Sequence, residues 1–564
     1  MMATTAEEIS ENTETAVSFK SARKNQDRPW KQSLIYLQCY FLTIATILGT
    51  GILGLPVTIA RAGLLPFLIS FLIGFFVQAL LIYLFVDLLQ RCRLAQLEAL
   101  KTAETERILM EEVCSEELPT PNGEDDDDDD DDGEELEEAD AGLLQRDVAA
   151  RRRDEDLQPN LHVLGVFFLG KHTSWAFNFV LLFQFVSIGI SYVLAGSEAY
   201  AALLHTSHVY VIPAFTWTLS LGILLAQIII QPITSLLTLL KGILLIITVA
   251  VTFVVGSEVH QETTNDFTQI GKPFLMGTVA LGGIVNVMPF LFSEISNVKS
   301  QVLWFRRSVL GGLATCTILN ILWCWAVLEI VPQMSTKSLL EEKLLNSSTG
   351  QTETTHPVHT FIYSNISLEE SEKAGEIATI PLTKIITQKY SRLSWVAELI
   401  QIFITISITV SFLVMGTAMK HTMDGLVGSL WPENVAWLAD HSSRWRTSQH
   451  CRRFFSGFMS FLAFGLIFVI SACDPKGFVV MLDKVVSFSL NTEVGLFIFL
   501  MLRTSRSERF KHLVVPLTAS DRIYRLHWLL PVYFLFAVAY DVFQSILEIS
   551  QNMTLTLHNN SSHQ

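Results

Sequence analysis

Apolar runs alternate with polar connections along most of this chain. The runs are Ile35–Ala60, Leu64–Leu89, Trp175–Ala195, Val209–Ile230, Thr234–Val255, Phe274–Phe292, Ser308–Val331, Ser394–Gly416, Phe455–Ala472, Phe478–Leu502 and Trp528–Leu547. Each has the length of roughly twenty residues that an α-helix needs to cross ~30 Å of hydrocarbon. The pattern predicts an all-α membrane protein of about 11 transmembrane helices. It divides the chain into an N-terminal tail (1–33), helices 1–2 (34–89), a polar insert (90–172), helices 3–7 (173–331), a loop (332–393), helices 8–11 (394–549) and a C-terminal tail (550–564).

Two of the runs are interrupted in the same way. In the first, Thr46-Ile47-Leu48-Gly49-Thr50-Gly51-Ile52-Leu53-Gly54-Leu55-Pro56 places three glycines ahead of a proline. In the sixth, Met276 to Pro289 does so again, with Gly277, Gly282 and Gly283. Hydrocarbon offers no partner for a freed peptide group, so a break at mid-depth must face protein or water. Paired breaks at corresponding positions mark two inverted halves with a site between them. They predict a 5+5 inverted repeat with broken helices 1 and 6 and an added eleventh helix. Exposed N–H groups at such a break suit a carboxylate and exposed carbonyls suit an ammonium or a cation, so a zwitterionic amino acid matches both. Small residues that aid helix packing are the alternative explanation of the glycines.

Charge sets the orientation. With the N-terminus cytosolic, short inner connections hold Arg91, Arg93, Lys299, Arg306, Arg307, Arg444, Arg446, Arg452, Arg453 and the basic cluster Arg503–Arg525, whereas short outer ones hold Arg61, Lys272 and Lys476. That is the positive-inside asymmetry. Sequons at Asn346, Asn365, Asn552, Asn559 and Asn560 all fall on the side this topology makes external, the C-terminus included. They are expected glycosylation sites.

Composition agrees: 50% of the 564 residues are hydrophobic, 37 are Phe, and mean hydropathy is +0.40. No cleavable signal peptide is expected, since the first thirty residues are polar. Of the net charge of −16, fourteen negative charges lie between Glu124 and Asp140, leaving −2 elsewhere, so no nucleic-acid partner is implied. The acidic insert, read as mostly disordered over Gln96–Leu157, is a solvated segment or a docking element for a cytosolic partner. The seven cysteines fit neither an ectodomain disulfide nor a metal site. No cofactor is expected.

The TILGTGILGLP segment, the GTVALGGIVNVMPFLFSEI segment and Ser411-Phe412-Leu413-Val414-Met415-Gly416 resemble the amino acid/auxin permease family across the eleven spans. The resemblance implies the five-plus-five fold and amino-acid transport coupled to H⁺ or Na⁺. It also implies that Gly49, Thr50, Gly51 and Gly54 meet the substrate carboxylate, and that Gly282, Gly283 and Asn286 meet its amino group or side chain. Tyr192 is a candidate to close over the substrate.

Ionisable residues at membrane depth are functional candidates by default. Lys241 lies a third of the way through the fifth run. The resemblance places it near the first break and the hydroxyl-rich eighth run, where sodium-coupled relatives hold Na⁺; a snorkelling lysine is the alternative. Thr405 and Thr409 share one face of that run and Ser407 and Ser411 another, and one pair is expected at the cation position. Glu493 and Asp541 are candidate proton relays, or structural partners of each other or of Ser487, Ser489 or Tyr540. The expected function is a secondary amino-acid transporter acting by alternating access, a proton-coupled symport. A sensor on the same scaffold is the competing reading. No pore loop suggests a channel, and no nucleophile–base set suggests an enzyme. Plasma membrane and endolysosome both fit.

Overall fold

The computed structural model describes residues 29–116, 159–225, 227–259, 263–334, 366–430, 442–473 and 481–561. Among them are eleven helices long and apolar enough to span a membrane: Gln32–Thr58, Leu64–Thr102, Lys171–Leu204, His208–Leu225, Ile233–Ser257, Gly271–Ser293, Lys299–Ile330, Ser394–Ser429, Phe454–Cys473, Lys484–Ser505 and Asp521–Gln551. They are numbered as spans one to eleven. Each overlaps one apolar run, and no strand occurs among the described residues. The chain is a helical multi-pass membrane protein.

The packing follows the inverted repeat. Span one lies against span seven as span six lies against span two. Span five packs on span eight as span ten packs on span three, and spans three and eight pack on each other. Spans one and six are the most enclosed, at 94% and 83% buried, so they form the centre. Span eleven is the least enclosed and turns Val532, Phe536 and Phe543 outward, as an added helix facing lipid would.

The two interrupted spans behave differently. Span six breaks: an α-helix Gly271–Gly282 gives way to a 3₁₀ turn, Gly283–Asn286, before a short helix Met288–Ser293. Span one does not break, but lies in one continuous helix, Pro29–Thr58. Pro56 sits two residues from its end, so the proline removes only one helical bond, the one to the Ile52 carbonyl. Trp323 of span seven replaces it, its indole N–H donating to that carbonyl at 2.9 Å. The glycines of span one serve close approach rather than unwinding. A Cβ added at Gly49 would fall 2.3 Å from Ser411 Oγ, and one at Gly51 would fall 2.6 Å from Asn320 Oδ1.

Span two extends as helix to Glu116, so residues 96–116 are helical rather than part of a structureless insert. A short inner-loop helix, Leu161–Phe168, buries Leu161, Leu164 and Phe168. The rest of the acidic insert, 117–158, lies outside the described residues. In the loop after span seven, helices Leu368–Ala374 and Thr379–Lys389 cover the end of span one. Arg61 donates to the buried Glu369 at 2.9 Å, Lys272 to Glu372 at 2.5 Å, and the Ala378 N–H to the Leu53 carbonyl.

Candidate functional site

The site is built where spans one, three, five and eight meet. Lys241 is fully buried. Its ammonium donates to the Ala45 carbonyl of span one at 2.9 Å, the Ser411 hydroxyl of span eight at 3.1 Å and the Ser407 carbonyl at 3.3 Å. An ammonium has three donors, and these three oxygens use them all. Among the described residues no carboxylate stands within ion-pair distance of it. Such a cage of two carbonyls and a hydroxyl is what a small cation would require. The helix of span one supplies its carbonyl unbroken, because a carbonyl oxygen has two lone pairs. The same span offers Ile44 to the Cys316 thiol at 3.7 Å.

Of the two hydroxyl pairs on span eight, the Ser407/Ser411 pair contributes to the lysine the Ser411 hydroxyl and the Ser407 main-chain carbonyl. Thr405 and Thr409 face elsewhere: Thr405 donates to the Gln401 carbonyl, and Thr409 to that of Thr405 while pairing with Tyr200 of span three at 3.0 Å. Tyr192 is buried, with its hydroxyl beside Gly49 and Ser411. Gly49, Tyr192, Ser411 and Lys241 thus form one cluster.

Span six approaches from the other side. Gly283 faces Thr46 of span one, 3.8 Å from where a Cβ would stand. Gly282 is pressed by Leu490 of span ten. Asn286 closes the 3₁₀ turn with its side chain buried, and neither its amide oxygen nor its nitrogen finds a partner among the described residues. A buried, unmatched amide at a backbone discontinuity has hydrogen-bonding capacity to give a ligand. Gly51 turns instead toward span seven, Gly54 is buried near the end of the span-one helix, and Thr50 lies in that helix.

Glu493 and Asp541 do not pair. Asp541 is buried and already has an interaction partner. Glu493 is fully buried on span ten and faces Gln184 of span three rather than Ser487, Ser489 or Tyr540. Ser487 bonds Asn491, Ser489 donates to Val485, and Tyr540 accepts from Gln544. Of the sequons, Asn346 and Asn365 lie outside the described residues; Asn552, Asn559 and Asn560 lie in the helix Leu529–Ser561 that continues span eleven.

Sequence reasoning missed Gln184, Asn320 and Trp323, polar side chains isolated in apolar spans. It also missed Glu198, which with Gln401 and Thr383 lines a small pocket beside the loop helix Thr379–Lys389. Among the described residues no group of three or more His, Cys, Asp or Glu is gathered in metal-ligating proximity.

No family model and no curated protein matches the sequence. Solved structures of a manganese transporter from Eremococcus coleocola are similar to it. One, in complex with an aromatic bis-isothiourea substituted compound, is 12% identical over 92% of each chain with a TM-score of 0.45. A mutant form is 13% identical over 91% of this chain and 87% of that chain, with a TM-score of 0.46. A likeness that distant carries neither substrate nor mechanism to this chain.

Proposed function

We propose that this protein is a secondary active transporter that moves amino acids across a membrane by alternating access, coupled to protons, on a scaffold of the amino acid/auxin permease type. One observation carries the reading: the buried ammonium of Lys241 ties span five to the backbone of span one and to Ser407 and Ser411 of span eight, beside Gly49 and Tyr192. A fixed cation in an oxygen cage at that crossing takes the place that Na⁺ would need, which supports Na⁺-independent transport. The amino acid lies between spans one and six. The discontinuity of span six, with Gly283 and the buried amide of Asn286, meets its polar groups, whereas the Gly49-Thr50-Gly51 stretch lies in a continuous helix packed by Ser411, Tyr192 and Asn320 and offers no free N–H groups to its carboxylate. The apolar Ile284, Val285 and Val287 favour a neutral or apolar side chain. Plasma membrane and endolysosomal membrane both suit such a carrier.

A sensor on the same scaffold is favoured by one feature. The helix that contains span two, Leu64–Glu116, has 53 residues and so extends about 80 Å, far beyond a bilayer, which offers a docking element. Proteoliposomes containing the purified protein and preloaded with unlabelled amino acids separate the two readings. A transporter draws a labelled amino acid inward by counterflow for at least one of the twenty. A sensor binds label without flux.

A further inference from the structure

The inverted repeat gives the Lys241 crossing a counterpart. Lys241 lies on span five where that span meets spans one and eight, and Glu493 lies on span ten, the span that the repeat relates to span five. Ser407, whose carbonyl holds Lys241, is thirteen residues past Ser394 in span eight; Gln184 is thirteen past Lys171 in span three. Span five packs on spans eight and one, and span ten on spans three and six. The pseudo-twofold therefore relates the span that carries a buried acid to the span that carries a buried lysine, and the span that carries Gln184 to the one that carries Ser407.

The chemistry of this second crossing is incomplete without a proton. Both Glu493 oxygens, and both polar atoms of the neighbouring Gln184, are buried and make no hydrogen bond among the described residues. Among the described residues no cation pairs with the carboxyl. From span three it meets Gln184; span six reaches this stretch through Thr278, which accepts from the Asn491 amide at 3.0 Å; span eleven sets Phe534 and Leu535 against Gly495. A bare carboxylate there is costly, whereas a carboxylic acid can donate to the Gln184 carbonyl while accepting from its amide nitrogen. The backbone adds an independent sign. Span ten changes from α-helix to π-helix at Glu493, over Glu493–Ile498, and π-turns concentrate at functional sites.

We infer that Glu493, buried beside Gln184 at the crossing of spans three and ten, is the group that binds and releases the coupling proton. Leu490, seated on Gly282, and Asn491, bonded to Thr278, connect the carboxyl to the discontinuous span six. One proton is taken up by the carboxylate on one side and released on the other, with no other group changed. This assignment rests on the transport reading above, so its test needs a readout that does not depend on transport.

Infrared difference spectra of the reconstituted protein supply that readout. Stepping the pH should change a protonated-carboxyl C=O band in the wild type that is absent from Glu493→Gln. In Gln184→Leu, which keeps the acid but removes its partner, that band should shift in frequency and midpoint. With the amino acid the wild type accepts, Glu493→Gln should retain counterflow yet lose accumulation driven by a one-unit pH gradient, which sustains about tenfold concentration at one proton per substrate. A pH-driven gradient undiminished in Glu493→Gln would overturn the assignment, as would identical infrared titrations in the wild type and both variants. A wild type that moves no amino acid while the band titrates would overturn the transport reading alone.

Discussion

Replacing Gly49 by alanine tests whether spans one, three and eight converge as described. The added Cβ would lie 2.3 Å from Ser411 Oγ, 2.8 Å from Ser411 Cβ and 2.8 Å from the Tyr192 hydroxyl. The serine hydroxyl cannot swing aside cheaply, because it accepts from Lys241 and lies within hydrogen-bond distance of the Ser407 and Ala45 carbonyls, at 2.9 and 3.2 Å. Overpacking of a filled core costs about 1–3 kcal/mol, and three short contacts place this substitution near the upper end. Ser411→Gly removes two of the three. The Gly49→Ala penalty should then fall to about 1 kcal/mol, a coupling of about 1–2 kcal/mol between residues 362 positions apart. Unfolding in mixed micelles, followed by tryptophan fluorescence for the four proteins of the cycle, measures it. Additive penalties would refute the described convergence.

Trp323→Phe should destabilise the protein by about 1–3 kcal/mol by stripping the Ile52 carbonyl of its donor. Pro56→Ala, which restores a backbone N–H to that carbonyl, should recover part of the loss; no recovery in the double variant would contradict the role given to Trp323. Lys241→Met should change unfolding stability little, because hydrogen bonds of about 1.5–3 kcal/mol each are offset by a desolvation cost of several kcal/mol. It should still abolish uptake, and wild-type uptake in this variant would refute the site. His162, in the inner-loop helix, bonds Asn178 and Ser429 at 3.0 and 2.7 Å, and burial holds its pKa below the ordinary value. Its neutral form is the one the fold favours. The resulting stabilisation is therefore complete above about pH 6.5 and is lost as pH falls toward the depressed folded value. The hydrogen-exchange protection factor over Leu161–Phe168, corrected for the pH dependence of intrinsic exchange, should fall below that pH in the wild type and change less in His162→Gln; equal loss in both would contradict this.

The spans were legible because hydrocarbon imposes length and apolarity on every one of them. Lys241 stood out for the same reason, a charge where charge is costly. Gly-Pro patterns were ambiguous: glycines followed by a proline produce a 3₁₀ break in span six but a continuous helix in span one. There the proline falls at the helix end, Trp323 supplies the missing donor, and Ser411 and Asn320 occupy the space the glycines leave. No local pattern announces a partner 271 residues away. The helical extension to Glu116 was missed because its polar surface suggested disorder, while its Ala, Leu, Glu, Lys and Arg content is rich in helix formers. Gln184 gave no signal as a lone amide in an apolar run; only the assembled spans bring it beside Glu493.

Accumulation of an amino acid by reconstituted protein in Na⁺-free buffer, driven only by an imposed pH gradient, tests the account at its centre. It predicts concentrative uptake that collapses when a protonophore dissipates the gradient and that added Na⁺ does not raise. Uptake that requires Na⁺, or none of the twenty amino acids accumulating under any gradient, would contradict it.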